Sequence, residues 1–129
     1  MTASKDKGTR AETAVVRYCR GFFPGAERRA LHGRQDVGDI LLTPGIIIEV
    51  KAGKAAQTAS LRKIRDWIAE TQREVANAGA DIGLLVTQRQ GHGLSRVEDW
   101  ECWSVEDADM VTMRSLRDTL ELLTHEGYQ

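Results

Sequence analysis

Cysteine is scarce in this chain, with Cys19 and Cys102 the only two among 129 residues. Two are too few for a disulfide framework, and they lie too far apart for the paired ligands of a structural zinc site. Long apolar runs are missing as well: none approaches the ~18 residues a membrane span requires. The opening Met1 to Lys7 lacks the apolar segment of a signal peptide. Internal repeats, low-complexity tracts and proline- or glycine-rich linkers are absent. Nor does one sign of charge dominate, since the formal net charge is −1. These absences lead us to expect a reduced, cytoplasmic protein with no membrane partner.

What is present is the composition of a soluble globular protein, 41% hydrophobic and 29% charged. A length of 129 residues suits a single domain spanning 1–129, able to bury a core without disulfides or metals. The near-zero net charge hides a gradient. Residues 1–34 hold eight Lys/Arg against three Asp/Glu, residues 35–97 eight against seven, and residues 98–129 two against nine. Net charges of +5, +1 and −7 follow. One end can attract phosphates while the other repels them, so a neutral average does not exclude DNA. A chance difference in surface charge between the termini explains the same numbers.

Hydrophobic spacing predicts a helix from Thr9 to about Phe22, stopped by Pro24-Gly25, and a short strand over Ala26–Leu31. Val37–Leu42 and Ile46–Lys51 flank Thr43-Pro44-Gly45, a hairpin signal. After a small-residue connection, a long helix over Thr58–Ala78 presents Leu61, Ile64, Ile68, Thr71 and Val75 on one stripe, with Gly79 as its stop. Asp81–Thr87 reads as a buried strand, Gln88–Ser95 as a loop, Trp100–Val105 as a strand and Thr112–Thr124 as a final helix. Trp100 and Trp103, oddly spaced, should face opposite sides of the sheet. The expected fold is α/β, a central mixed five-stranded sheet flanked by helices.

The informative residues lie on the hairpin. Alternation along a strand puts Glu49 and Lys51 on one face and Val50 on the other. With the turn centred on Pro44 and Gly45 left-handed, Leu42 faces Ile46 and Asp39 faces Glu49. Two opposed carboxylates repel unless one keeps its proton or a hard cation joins them. Lys51, one pleat along, is placed to assist a metal-bound water, and those parts suffice for phosphodiester hydrolysis. Glu-x-Lys pairs on strands are also common as solvated surface charges. What favours a site is the apolar setting of Ile46, Ile47, Ile48 and Val50, with Gly38 allowing close backbone approach to Asp39. Glu12 shares a helical stripe with Val15, Val16 and Cys19, so it either completes this site or closes a capping box on Thr9. Arg28, Arg29 and Arg34, just before the hairpin, are candidate phosphate contacts. So are Lys54 and Arg62, with Lys63 and Arg65, around the start of the long helix.

Taken in order, Lys7-Gly8-Thr9-Arg10-Ala11-Glu12, Gly38-Asp39-Ile40 and Glu49-Val50-Lys51 resemble the PD-(D/E)xK nuclease superfamily. Within it the chain looks most like archaeal-type and phage Holliday-junction resolvases, over residues 5–90. The resemblance implies a restriction-endonuclease-like fold and Mg²⁺, with Mn²⁺ as a substitute, on Asp39, Glu49 and the Val50 carbonyl. It implies Lys51 as catalytic lysine and Glu12 as a helix-borne acid. It further implies a homodimer acting on branched or duplex DNA, in the host cytoplasm for a phage-encoded member. Gly38 stands where the motif's proline would be, and the Ser-Gly often found upstream of the Asp is replaced by Leu31-His32-Gly33-Arg34-Gln35. Two alternatives stay open: a nicking or restriction-type nuclease on linear duplex DNA, and a non-catalytic DNA-binding subunit.

Overall fold

A computed structural model describes residues 2–29, 37–106 and 110–128, with side chains from Gly8 onward. Helix α1 (Thr2–Cys19) opens the chain, followed by β1 (Glu27–Arg28), β2 (Ile40–Thr43) and β3 (Ile46–Lys51). A short helix α2 (Lys54–Gln57) and the long α3 (Leu61–Ala78) lead into β4 (Ile82–Thr87). A 3₁₀ turn (Leu94–Asp99), β5 (Glu101–Val105), β6 (Val111–Ser115) and α4 (Leu116–His125) complete it. The six strands lie side by side in chain order, with β3 and β4 parallel and every other pair antiparallel. Parallel neighbours cannot be joined by a tight turn, which is why α2 and α3 sit between them.

The sheet therefore has six strands rather than the five expected. The missed one is β6: Thr112, assigned to the last helix by apolar spacing, belongs to a strand of half-buried and exposed residues that pairs with β5. The helix starts at Leu116, where the Ser115 side chain accepts from the Asp118 amide as its N-cap. Met113 is 50% exposed, and only its spacing of three residues from Leu116 imitates a helical apolar face. Other boundaries moved too. The first helix begins at Thr2 and ends at Cys19, and the expected strand over Ala26–Leu31 is described only as Glu27–Arg28, with Ala30 and Leu31 outside the described residues. The long helix begins after its Ser60 cap and ends at Gly79 in the left-handed conformation, as anticipated.

Alternation along β3 divides the core in two. Ile46, Ile48 and Val50 join Ile40, Leu42, Leu84, Val86, Trp100 and the apolar sides of α1 and α4 in the larger cluster. The opposite face carries a smaller one, Ala56, Ile64, Trp67 and Leu85, covered by α3 with Ile68 and Trp103 against it. Trp100 and Trp103 thus do occupy opposite faces. Both cysteines are free and buried, and burial pushes each thiol up to about 12. Among the described residues no helix is long and apolar enough to cross a membrane.

The α3 face differs from the stripe read off the sequence. Leu61 is 74% exposed, while Ile64, Trp67, Thr71 and Glu74 point inward. Thr71 and Val75, both on the expected stripe, lie over Gly83 of β4. A methyl group on Gly83 would lie 2.6 Å from Val75 Cγ2 and 2.8 Å from Thr71 Cγ2. We expect Gly83→Ala to lower the unfolding free energy by about 1–3 kcal/mol through this overlap; urea denaturation checks it, and unchanged stability would mean that α3 does not press on β4 there.

Candidate metal centre

The hairpin between β2 and β3 turns through Pro44 and Gly45, the latter at φ +94°. Ile40 faces Ile48 and Leu41 faces Ile47, which is the expected register, but a bulge follows and Thr43, not Leu42, meets Ile46. Asp39 stands just before β2 rather than in the ladder opposite Glu49. Its amide donates to the Ile48 carbonyl (2.9 Å) and its carbonyl accepts from the Arg29 amide (2.8 Å). Its side chain then reaches across, with Oδ2 accepting from the Val50 amide at 2.8 Å. Gly38 enables this approach: it has φ +95°, and an added Cβ would come within 3.1 Å of Ile47 Cδ1. Val50 thus anchors Asp39 through its N–H while its side chain lies in the larger core.

Glu49 and Lys51 project to the α3 side. Lys51 Nζ lies 3.2 Å from Glu49 Oε2 and 3.1 Å from Glu70 Oε1, and 5.7 Å from the centre of the Trp67 ring. The Glu49 side chain is 6% exposed. Burial first, then the nearby Asp39 carboxylate, push its carboxyl up to about 8 against the opposing pull of Lys51. Burial draws the Lys51 ammonium down, but Glu49 and Glu70 outweigh it and hold the group above the ordinary lysine value.

Sequence reasoning missed the contribution of α3. Glu70 is half-buried and Glu74 only 2% exposed, and single carboxylate oxygens of Glu49, Glu70 and Glu74 lie within 4.8 Å of one another. The signal was there: Trp67, Glu70, Thr71 and Glu74 recur at helical spacing, yet the apolar Ile68 and Val75 suggested a different face. An all-carboxylate set suits a hard divalent cation. Glu49 Oε1, buried and accepting no hydrogen bond, is the kind of atom such a cation satisfies.

Of the expected catalytic residues, Glu49 and Lys51 form an ion pair with Asp39 close enough to raise the Glu49 carboxyl, and Glu12 is held by Arg28. Glu12 Oε1 accepts from Arg28 Nη2 (3.0 Å) and Nε (3.2 Å), so two expected site residues neutralise each other. The capping-box alternative fails too, because Thr9 lies well inside α1. Arg29 Nη1 donates to the Val37 carbonyl, bracing the entry to β2. Lys54 and Arg62 are exposed at the starts of α2 and α3, where a ligand can reach them. Arg34 and His32 lie outside the described residues. His92 packs its ring nitrogen Nδ1 on the Gln90 carbonyl in the loop after β4, consistent with a loop role.

Compared with family models, curated proteins and solved structures, the chain matches none.

The raised Glu49 carboxyl has a consequence for stability. Its folded-state value lies above the ordinary one, so the native state holds an extra proton between about pH 4.5 and 8. Stability from this group is full below that window and declines as pH rises through it. In EDTA we expect the unfolding free energy to fall by up to about 1.4 kcal/mol per pH unit between pH 5 and 8, and Glu49→Gln to flatten the slope. Urea titrations across that range check both; equal slopes would place Glu49 in an ordinary environment.

Proposed function

We propose that the chain is a Mg²⁺-dependent, structure-selective DNA endonuclease of the PD-(D/E)xK type with a restriction-endonuclease-like fold, acting on Holliday junctions as a homodimer. The observation that carries this reading is the convergence of Asp39, Glu49 and Lys51 at the end of one hairpin, two acids and an ammonium in the motif's order. Support also comes from β1, β2 and β3 preceding a parallel β4 with α1 against them, and from the basic first quarter of the sequence.

Asp39 and Glu49, with the Val50 carbonyl, would hold Mg²⁺. Bound there, the ion supplies Lewis-acid polarisation of a phosphate and a more acidic water. The chain's own groups do the rest. Asp39, tied to the Val50 amide, cannot swing away, so the two acids are set in place before any ligand arrives. Lys51 offers a positive charge beside Glu49, suited to a phosphate that gains negative charge as its bond breaks. Trp67, packed under the Lys51 ammonium, keeps water from one side of it. Lys54 and Arg62 are left to receive flanking phosphates.

Asp39→Asn, Glu49→Gln and Lys51→Ala should each lower Mg²⁺-dependent cleavage by about a hundredfold or more while leaving junction binding largely intact. The test is digestion of labelled four-way junction, flap and linear duplex side by side, in Mg²⁺ or EDTA. Wild-type cleavage by any two variants would refute the site; preference for linear duplex would favour a nicking or restriction-type enzyme, and binding without cleavage a non-catalytic subunit. In sedimentation the homodimer should run at about 28 kDa, twice the 14.3 kDa chain, and a clean monomer would count against the resolvase reading.

A further inference from the structure

A cavity that the proposed chemistry does not use opens beyond the ends of β3 and β4. These are the two parallel strands, with Lys51 paired to Thr87 where both end. Ligands of open α/β sheets favour the crevice outside the carboxyl ends of such strands. The cavity measures about 310 Å³, at the lower end of the ~300–1,000 Å³ typical of small-ligand sites, and suits a single nucleotide unit. Ala52, Gly53 and Gln57 line it from the segment after Lys51. Gln88, Gly93 and Leu94 line it from the segment after β4, and Arg10 from α1.

Its walls are set before any ligand arrives. Gln88 spans the two segments: its Oε1 accepts from the Gly53 amide at 2.8 Å and its Nε2 donates to the His92 carbonyl at 3.1 Å. That carbonyl also accepts from Trp100 Nε1 at 2.9 Å, and the Gln88 amide donates to the Lys51 carbonyl at 2.9 Å. The lining fits a planar ring that carries a phosphate. Arg10 is exposed and the lining holds no acid, so its charge is positive. Leu94, 41% exposed, offers an apolar surface to a ring. The half-buried Gln57 side-chain amide makes no hydrogen bond among the described residues, which leaves donors and an acceptor for the edge of a base. Gly93 adds an independent sign. At φ −78° and ψ −166° its backbone is extended, and a Cβ there would meet nothing within 4 Å. Neither conformation nor packing within the chain calls for glycine at that position, whereas a ring entering the cavity needs the bare backbone.

We propose that this cavity holds the nucleotide next to the cleaved phosphate, its base turned out of the stack at a DNA branch. The base lies against Leu94 and Gly93, with Gln57 at its edge and Arg10 on its phosphate. A base whose pairing or stacking is already interrupted costs less to turn out than one inside a duplex, so the cavity is a source of preference for branched DNA. The inference rests on reading the chain as a nuclease on branched DNA, and it names the part of that substrate that is gripped.

The test uses four-way junctions carrying 2-aminopurine, which brightens on leaving the stack, at each position beside the branch in turn. They are bound to the full-length chain in EDTA, so that no Mg²⁺-dependent cleavage intervenes. At one of these positions binding should raise the fluorescence about threefold or more. Gly93→Leu, which fills the cavity without straining the backbone, should remove most of that rise while weakening junction affinity, read by anisotropy, less than about tenfold. Gln57→Ala should lower the rise in smaller measure. Full brightening with Gly93→Leu, or no brightening of the wild type at any position, would overturn the proposal. A thermal shift given by free dAMP and lost in Gly93→Leu, with no brightening on the junction, would assign the cavity to a free nucleotide and overturn its assignment to the strand. Brightening without any cleavage in Mg²⁺ would refute the nuclease reading and leave the nucleotide site standing.

Discussion

The Lys51 ammonium, lodged between Glu49 of the sheet and Glu70 of the helix, is the contact on which the rest of this face depends. It is a partly buried pair of ion pairs, so its desolvation cost is large and its net contribution to stability is small. What it does provide is specificity of arrangement. Without it, several acids would be buried together with no ammonium between them, and α3 could not lie flat against β3 and β4. The ammonium also bears on Trp67, whose ring takes Lys51 from one side and Lys63 at 5.6 Å from its centre. An aromatic ring shared by two cations closes the lysine site to water more effectively than an aliphatic side chain would. An acid raised to about 8 and a lysine held above its ordinary value, side by side, are a pattern more common at functional sites than in structural ion pairs.

Backbone geometry makes that arrangement possible. Just before β2 begins stands a residue whose side chain, not its carbonyl, takes the Val50 amide of β3, so Asp39 acts as an extension of the ladder. A carboxylate bonded to a main-chain amide is fixed more tightly than one on a flexible loop. The glycine before it keeps the chain against Ile47, and the bulge nearer the turn absorbs the mismatch with the type of loop that Pro44 and Gly45 form. Bulge, glycine and aspartate together convert a plain antiparallel hairpin into a holder for one acid beside another.

Much of this was legible in residue order. Alternation along Ile46–Lys51 put Glu49 and Lys51 on one face, and the turn residues gave the register that holds at Ile40 and Leu41. Three things were not legible. The sixth strand was hidden because Val111–Ser115 is a partly exposed edge strand whose Met113 mimics a helical apolar position. Arg28 and Glu12 each pointed separately to the site, yet they satisfy one another across α1 and β1, a contact between residues 16 apart that no local rule reports. The acids of α3 escaped because periodicity assigns faces by hydrophobicity, and Glu74 is a charged residue at a core position. A reading that treats an acid on the inward face as a signal rather than as noise would have found it.

Chain-order strand placement does not turn the charge gradient of the sequence into a gradient across the sheet. Helix α1 of the basic first quarter and α4 of the acidic last quarter pack into one core on the same face, and Arg117 of α4 meets Tyr18 of α1. The Arg28 pair with Glu12 weakens the basic character of the first quarter further, since an arginine already neutralised contributes little to long-range steering. Lys54 and Arg62, exposed at the starts of α2 and α3, are therefore the cations left to flank Lys51, on the helices that join β3 to β4.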